Sequence, residues 1–327
     1  MMSTKDFKEK QIIFVLLEDG EKISFKNDNI IVTRKDDTIK HQSTCYLIFA
    51  VFVCGHLCLT SGIVERAKRF GFAIVLMNYT MHVYEILSSP LEGNVLLRKK
   101  QYCGIYSGDS FELGAYIISN KLHNQQNTLK QIREKSTAVK EAIEFLEEAK
   151  KDVRKQGLSL SEIMGMEGAS AKIYFSAIFE KNHWIARRPR VKQDMTNCLL
   201  DIGYSLLFNI VHGLIAIYGF DSYVGVLHRQ FYQRKSLVCD LVEPFRAIVD
   251  MSLRKALNLG QCHEEDFIIK QRQYFIYGKN AAPYIQRFIK NILEYRTELF
   301  RYVQSYYRAF MRDKPVDDFP FANLEKP

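Results

Sequence analysis

The stretch at residues 159–179, SLSEIMGMEGASAKIYFSAIF, shows best that most of this chain is helical. Ser159 and Glu162 have the spacing of a capping box, in which each residue's side chain caps the backbone of the other at a helix start. Apolar side chains then recur at three- and four-residue intervals, the period of an α-helix. Glu167 falls about two turns into this helix, between two glycines. An unpaired carboxylate would be costly to bury there, so the stretch predicts a functional Glu167, with an exposed helix position as the alternative.

The helical period extends from residue 94 almost to the end of the chain, while residues 11–87 follow a different pattern. In that earlier part, short runs of Ile, Val, Phe and Tyr alternate with turn signals such as Asp19-Gly20, which indicates β-strands. The turn-rich SSPLEG at residues 88–93 separates the two patterns. We therefore predict an α+β fold, with a small N-terminal β-rich domain at residues 1–93 followed by a larger all-α domain at residues 94–327.

Local signals predict several helices and their ends. Within the β-rich domain, Thr60 or Ser61 can cap a helix that Gly71 ends, before the strand AIVLMN. Asp194 can cap a helix at residues 195–217 whose wide apolar stripe predicts a central position. Three further predictions cover segments rich in charge or aromatic residues: one solvated helix at 129–155 ended by Gly157, one amphipathic helix at 283–312, and a loose tail at 313–327.

The composition indicates a soluble globular protein, since 47% of residues are hydrophobic and 25% are charged. A formal net charge of +9 and a pI near 9.0 favour polyanionic partners such as nucleic acid, although ribosomal and membrane-surface proteins share this property. Seven cysteines without a CxxC pair fit a reducing cytoplasm. The charged start lacks an apolar stretch, and the apolar run at 199–218 contains polar residues, so we expect no secretory signal and no membrane span.

The candidate chemistry lies on four residues far apart in sequence: Glu167, His228, Asp240 and Glu243. Each alone has an ordinary explanation, because a lone His is most often structural and acidic residues are favoured at a helix start. If Asp240 starts a helix with a proline in its first turn, it shares a face with Glu243. Carboxylates with one imidazole in a basic chain suit Mg²⁺ or Mn²⁺.

A zinc site is the weaker alternative for metal binding in this sequence. Cys54, His56 and Cys58 alternate along a predicted strand, but three ligands at this spacing are not a recognised zinc set. We favour a core strand there.

Three separated blocks closely resemble the Cas1 family of CRISPR-associated spacer-acquisition integrases. They are MGMEGASAKIYFSAIF, RRPR and GVLHRQFYQRKSLVCDLVEPFRAIVD. VCGHLCLTSGIVERAKRFGFAIVLMN resembles the family's N-terminal domain, and NVLLRKKQY with YIISNKLHNQ resembles the opening of its helical domain. The short N-terminal half and FGFAIVLMN are most similar to members of type V systems. The chain departs from the family after RRPR, where VKQD replaces a proline-rich loop.

This resemblance implies a function, a ligand set and partners. It implies Glu167, His228 and Glu243 as ligands of Mg²⁺ or Mn²⁺, with Asp240 in a supporting role. The implied reaction is transesterification, in which the 3′-hydroxyl of a captured DNA fragment attacks the CRISPR repeat. The implied assembly is a homodimer formed through the β-rich domain, with two dimers clamping a Cas2 dimer in a heterohexamer on double-stranded DNA.

Further residues are candidates for contact with DNA or with the reacting phosphate. Tyr174 shares a helix face with Glu167 and either lies beside the scissile phosphate or fills the core. Basic and amide side chains near the blocks could bind phosphates or form solvated loops. They are Arg187, Arg188, Arg190, Arg229, Gln233, Arg234 and Lys235.

Two other functions remain open at this point. One is a metal-dependent nuclease that cuts branched DNA without joining it. The other is a non-catalytic basic scaffold that binds DNA, which would have no reason to keep the acidic and histidine set.

Overall fold

The computed structural model describes residues 10–78, 83–87, 94–104, 109–182, 184–189, 191–228, 231–276 and 278–324. The chain forms two compact units. The first contains the chain up to Lys99 together with a later segment, His212–Asp221, and the second contains Lys100–Val211 and the chain from Ser222 onward. A segment from far along the chain thus joins the N-terminal unit, which no local pattern in the sequence indicated.

The first unit contains two β-sheets, which confirms the predicted N-terminal β-rich region. Its described strands are β1 (Gln11–Leu16), β2 (Lys22–Lys26), β3 (Asn29–Thr33), β4 (Ile39–Thr44), β5 (Ile48–Cys54), β6 (Ala73–Met77) and β7 (Val83–Leu87). One sheet has the order β1-β5-β6-β7, with β1, β5 and β6 parallel, and the other is an antiparallel β2-β3-β4 sheet. The central strands β5 and β6 are wholly buried, as expected for continuous apolar runs in a parallel sheet.

Local signals in the first unit are confirmed where they depend on neighbouring residues. Helix α1 (Ser61–Phe70) begins after Thr60, although the Thr60 side chain makes no capping hydrogen bond. It ends at Gly71, whose φ of 71° is the left-handed conformation that glycine adopts without strain. Cys54 ends β5, and His56 and Cys58 are exposed beyond it. The candidate zinc residues therefore do not share one strand.

The second unit is mainly helical. The described helices after α1 are α2 (Val95–Gly104), α3 (Asp109–Lys130), α4 (Thr137–Asp152), α5 (Leu160–Ile178), α6 (Met195–Ile217), α7 (Ser236–Val242), α8 (Arg246–Asn258), α9 (Gly278–Glu294) and α10 (Arg296–Met311). A short antiparallel hairpin, β8 (Ile268–Lys270) and β9 (Gln273–Phe275), lies between α8 and α9. The expectation of an all-α region is corrected by this hairpin.

Two predicted helices are each divided. The expected helix at 129–155 is wrong, because α3 ends at Lys130 and α4 begins after Ser136, whose side chain accepts a hydrogen bond from the Val139 amide. The expected helix at 283–312 is also wrong, since α9 and α10 are separated at Tyr295. In both cases the amphipathic pattern of the sequence continues across a break between two helices.

Helix α6 confirms the prediction of a central helix. Asp194 caps it, with the Asn197 amide donating to the Asp194 carboxylate at 2.6 Å. By length and composition α6 could cross a membrane, but 78% of its most apolar window is buried inside the protein. That burial is typical of a core helix and agrees with the expectation of no membrane span.

The segment after α10 is docked on the second unit, which corrects the predicted loose tail. Phe319, Ala322 and Leu324 are buried, and the Ala322 backbone is held by buried amide side chains of α3. Asn120 exchanges two hydrogen bonds with it, at 2.7 and 2.8 Å, and Asn124 donates to the same carbonyl at 3.0 Å. The segment is held in place by its buried apolar residues and by the amide side chains of α3.

We expect Asn120→Ala to destabilise the protein by about 1–3 kcal/mol, because it removes both hydrogen bonds and leaves the buried Ala322 amide without a partner. Urea unfolding followed by circular dichroism measures this loss. Glu112→Ala, at an exposed position of the same helix, is the matched control and should change stability by less than about 0.5 kcal/mol. Equal effects of the two changes would show that the docked segment contributes nothing to stability.

Candidate active site

Helix α5 positions Glu167, and its start is set by the predicted capping box. The Ser159 hydroxyl accepts from the Glu162 amide, and the Glu162 carboxylate accepts from the Ser159 amide at 2.8 Å. A Cβ added at Gly165 or Gly168 would meet no other atom within 4 Å, so the helix surface beside Glu167 is open. The Glu167 side chain itself is mostly buried, with 19% exposed.

A buried lysine brings Glu167 and Glu243 together. Lys121 on α3 is 7% exposed, and its ammonium donates to Glu167 Oε1 and lies 2.6 Å from Glu243 Oε2. Burial lowers the pKa of Lys121, but the attraction of Glu243 and Glu167 outweighs this effect and the net pKa is raised. The lysine is therefore charged, and two implied ligands converge on one cation.

Glu243 lies at the start of a short 3₁₀ turn, Glu243–Phe245, and is 4% exposed. Burial raises the pKa of Glu243. The positive charges of Arg246 and then Lys121 lower this pKa by more than burial raises it, to about 2. Arg246 Nε is 2.9 Å from Glu243 Oε1. Glu243 is thus ionised at neutral pH.

Asp240 does not start a helix as the sequence suggested, because it lies in the last turn of α7, and Pro244 belongs to the following 3₁₀ turn. Its fully buried carboxylate accepts from three successive backbone amides, those of Val226, Leu227 and His228, at 2.6, 3.1 and 2.9 Å. The same carboxylate is 2.7 Å from His228 Nδ1. Since a carboxylate only accepts, Nδ1 is the donor in this contact, and Nε2 is the ring nitrogen that does not face Asp240.

Gly225 in the GVLH block leaves the space that this arrangement needs. A Cβ at Gly225 would be 2.4 Å from Asp240 Oδ2 and 2.8 Å from the Ser236 backbone. The backbone cannot move aside as a flexible side chain would.

We expect Gly225→Ala to destabilise the protein by about 1–3 kcal/mol, because the added methyl overpacks the Asp240 carboxylate. Chemical denaturation measures this effect. The control Gly165→Ala places its methyl in open space in the middle of α5, so it should stabilise by about 0.5–1 kcal/mol through helix propensity. If Gly225→Ala were neutral, close contact with Asp240 would not be the reason for glycine there.

A second buried cluster lies around Asp250 on α8. Tyr174 is fully buried and its hydroxyl donates to Asp250 Oδ2 at 3.0 Å, while the Tyr204 hydroxyl donates to Oδ1. Burial raises the pKa of Asp250 to about 6, against the opposing effect of the two phenols. The guanidinium of Arg246 lies 4.7 Å from the centre of the Tyr204 ring, so the cluster also supports the cation that pairs with Glu243. The structure thus places Tyr174 in the core, and a role beside the phosphate stays a prediction.

We expect Asp250 to make stability fall as pH rises from about 4 to about 6. With its pKa raised from 3.8 to about 6, the folded state binds more protons than the unfolded state in this window. The cost at neutral pH is about 3 kcal/mol, since each pKa unit is about 1.4 kcal/mol. Asp250→Asn lacks this titration, so its stability relative to the unchanged protein should rise across the window in urea unfolding. A constant difference between pH 4 and 7 would contradict the raised pKa.

The predicted DNA-contact residues have different surroundings. Arg187 is bound within the protein, since it donates to Asn197 Oδ1 at 2.9 Å and pairs with Asp201. Its charge therefore holds the segment before α6 in place.

The remaining candidates lie at the surface or outside the described residues. Arg188, Gln233 and Arg234 are exposed, and Lys235 is half-buried, which lowers its pKa. Arg190 and Arg229 lie outside the described residues. DNA contact at all of these positions stays a prediction.

Lys121, Glu167 and Glu243 form what we call the Lys121 junction. Its carboxylate oxygens are a type of donor atom that suits a divalent cation. Glu243 Oε2 is buried, and the nearby ammonium does not meet it in hydrogen-bond geometry, so this oxygen has no hydrogen-bond partner among the described residues. Glu167 points to the same ammonium. Within the described residues, however, no three His, Cys, Asp or Glu side chains lie close enough to form a ligand set, so His228 is near Glu243 but not gathered with both glutamates.

Sequence reasoning missed Lys121, Arg246 and Asp250. A signal for the first existed: α3 carries a long run of polar residues, most of which are buried in the structure, including Asn120, Lys121 and Asn124. A polar run in a helix without an exposed face indicates buried partners. Arg246 and Asp250 follow Glu243 on the same helical face as ordinary charged residues, and nothing local distinguishes them.

The fold and the site define a class: a β-sheet unit followed by a mainly helical unit with buried carboxylates paired to buried cations. The family model described as CRISPR associated protein Cas1 matches residues 14–290. The chain belongs to the Cas1 family of CRISPR-associated proteins.

Individual relatives agree with this assignment. The CRISPR-associated endonuclease Cas1 1 of Thermodesulfovibrio yellowstonii is 30% identical over 282 residues, 81% of this chain and 87% of that protein. The one from Francisella tularensis subsp. novicida is 24% identical over 284 residues, 85% and 88% of the two chains.

Two solved structures show the same fold. A chain in a partial Cas6-RT-Cas1–Cas2 complex has a TM-score of 0.79 and 20% identity, and covers 97% of this chain and 100% of that chain. A casposase bound to integration product has a TM-score of 0.70 and 18% identity, covering 97% and 94%.

Proposed function

We propose that this protein is the integrase of CRISPR adaptation, which inserts short DNA fragments into the CRISPR repeat array by metal-dependent transesterification. The 3′-hydroxyl of the fragment gives up its proton to solvent, and its oxygen attacks a repeat phosphodiester and forms a new phosphorus–oxygen bond. The old bond to the repeat's 3′-oxygen breaks, and that oxygen leaves as a hydroxyl after taking up a proton. The number of phosphodiesters is unchanged, so the reaction needs no external energy source.

The convergence of Glu167 and Glu243 carries this proposal. Two buried carboxylates face one point beside the open surface of α5, in a member of the Cas1 family. A scaffold that only binds DNA would gain nothing from buried negative charge near its ligand, because phosphates repel it. The arrangement instead suits chemistry on a phosphate.

Glu167, Glu243 and the Nε2 atom of His228 would hold Mg²⁺ or Mn²⁺. When bound, such an ion neutralises charge on the phosphoryl oxygens. The other residues have supporting tasks that the geometry explains. Asp240 keeps the His228 ring oriented with Nε2 available, and Arg246 compensates the buried charge of Glu243.

DNA and a second protein are the proposed partners. The net charge of +9 favours a polyanion, and the relatives of known structure include a Cas1–DNA complex and Cas1–Cas2 complexes. By analogy, we propose a homodimer through the β-rich unit, and a heterohexamer with a Cas2 dimer on prespacer and repeat DNA. The protein would act in the cytoplasm, where DNA and reduced cysteines coexist. The similarity to type V systems stays a prediction.

A nuclease that cuts branched DNA without joining is the competing function. It would use the same carboxylates, so only the products distinguish the two. The casposase likeness in fold favours joining, because that structure holds an integration product.

We expect Glu167→Gln to lower strand joining by at least about 100-fold, because it removes one of the two converging negative charges. The assay incubates a fragment that ends in a 3′-hydroxyl with a supercoiled repeat plasmid in Mg²⁺ or Mn²⁺, with and without Cas2, and detects joined product on gels. DNA binding in a mobility-shift assay should be retained or slightly strengthened, since a repelling charge is lost.

Glu148→Gln is the matched control, because Glu148 is an exposed glutamate of α4 and should join DNA normally. Cleavage without joined product would identify the nuclease. Joining by Glu167→Gln at the level of the unchanged protein would contradict the proposed site.

A further inference from the structure

Lys121 is the only member of the junction that no ligand motif contains, yet its ammonium contacts both converging glutamates. It is buried on α3, and Glu167 and Glu243 come from α5 and the turn after α7. Burying two neighbouring carboxylates without a cation would be strongly unfavourable. In the protein without metal, Lys121 supplies positive charge to both carboxylates, and Arg246 adds a second cation at Glu243 alone.

The backbone around Lys121 is held firmly on the side of Glu243. Asn124, one turn further along α3, donates to the Pro244 carbonyl at 2.9 Å and to the Ala322 carbonyl at 3.0 Å. Asn120, the residue before the lysine, exchanges two hydrogen bonds with Ala322. These hydrogen bonds hold the helix beside Glu243, so the flexible lysine side chain is the part that rearranges at least cost.

The contact of Lys121 with Glu243 is close but poorly directed. The ammonium is 2.6 Å from Glu243 Oε2 in a geometry that is not a hydrogen bond, while it donates a hydrogen bond to Glu167 Oε1. A lysine reaches its partners through a flexible four-carbon chain, so it can leave without disturbing the backbone. A divalent cation and an ammonium cannot both occupy the space between the carboxylates, because like charges at contact distance repel strongly.

We propose that Lys121 is a resident counter-cation: it holds Glu167 and Glu243 together in the metal-free protein and is displaced from them by the catalytic metal. This inference rests on the proposed metal site and adds a positioning residue to it. Lys121 keeps the two carboxylates close together before the metal binds. Because the ammonium competes with the metal for these carboxylates, metal binding is weaker and reversible.

Lys121→Met tests the competition, since methionine keeps the length of the side chain and removes the charge. Metal-free Lys121→Met should unfold about 5 °C or more below the unchanged protein, because the two carboxylates lose the one cation that they share. Its dissociation constant for Mn²⁺, from electron paramagnetic resonance of free Mn²⁺, should be at least about tenfold lower. Mn²⁺ should therefore raise its melting temperature more than that of the unchanged protein.

Lys121→Arg should have the opposite effect on Mn²⁺ affinity. It also provides a second test if Lys121→Met does not fold without metal. A guanidinium can grip two carboxylates with fixed donors, so it should be harder to displace and Mn²⁺ should bind more weakly. Lys130→Met, at an exposed position on the same helix, is the control and should bind Mn²⁺ as the unchanged protein does.

The outcomes separate this inference from the proposed function. Equal or weaker Mn²⁺ binding by folded Lys121→Met, or tighter binding by Lys121→Arg, overturns the counter-cation. If Mn²⁺ binds normally and strand joining succeeds in the unchanged protein despite that result, the proposed function stands alone. If the unchanged protein and both variants bind no Mn²⁺, the metal site and the counter-cation are both overturned.

Discussion

The arrangement of the second unit depends on the ion pairs of Lys121 with Glu167 and Glu243, because these buried charges need compensating partners. Charges buried in a protein interior need opposite charges or hydrogen bonds at close range. Around this junction each buried charged group contacts a further polar or aromatic group. Arg246 compensates Glu243, the ring of Tyr204 faces Arg246, and Asp250 accepts from the Tyr204 hydroxyl. The acidic site and the apolar core are thus connected by a continuous set of polar contacts.

Helix α3 contributes the side chains that make several of these contacts. Its buried polar side chains bind the turn that carries Glu243, the docked segment near Ala322, and Glu167. An apolar helix could pack as tightly, but it would leave buried backbone and carboxylate groups without partners. The polar composition of α3 therefore has a structural reason that is independent of catalysis, and the positions of the candidate ligands depend on it.

The site combines two separately built halves. The loop with His228 is held by Asp240, which binds three successive amides and the imidazole. The two glutamates are held by Lys121. In this structure the halves are near each other without forming one ligand set among the described residues.

The amino-acid sequence by itself determined the features that depend on near neighbours. The capping box at Ser159, the glycine end of α1 and the alternation that marks the β-rich unit all involve contacts within a few residues, so they could be predicted. The resemblance of the motif blocks to the Cas1 family also implied Glu167, His228 and Glu243 as a ligand set, which stays a prediction. Only the tertiary structure decided that Lys121 lies between two of them, that Asp240 orients the third, and that the final segment is docked. The physical reason is distance along the chain: Lys121 and Glu167 are 46 residues apart, and no local pattern records which charges meet in the interior.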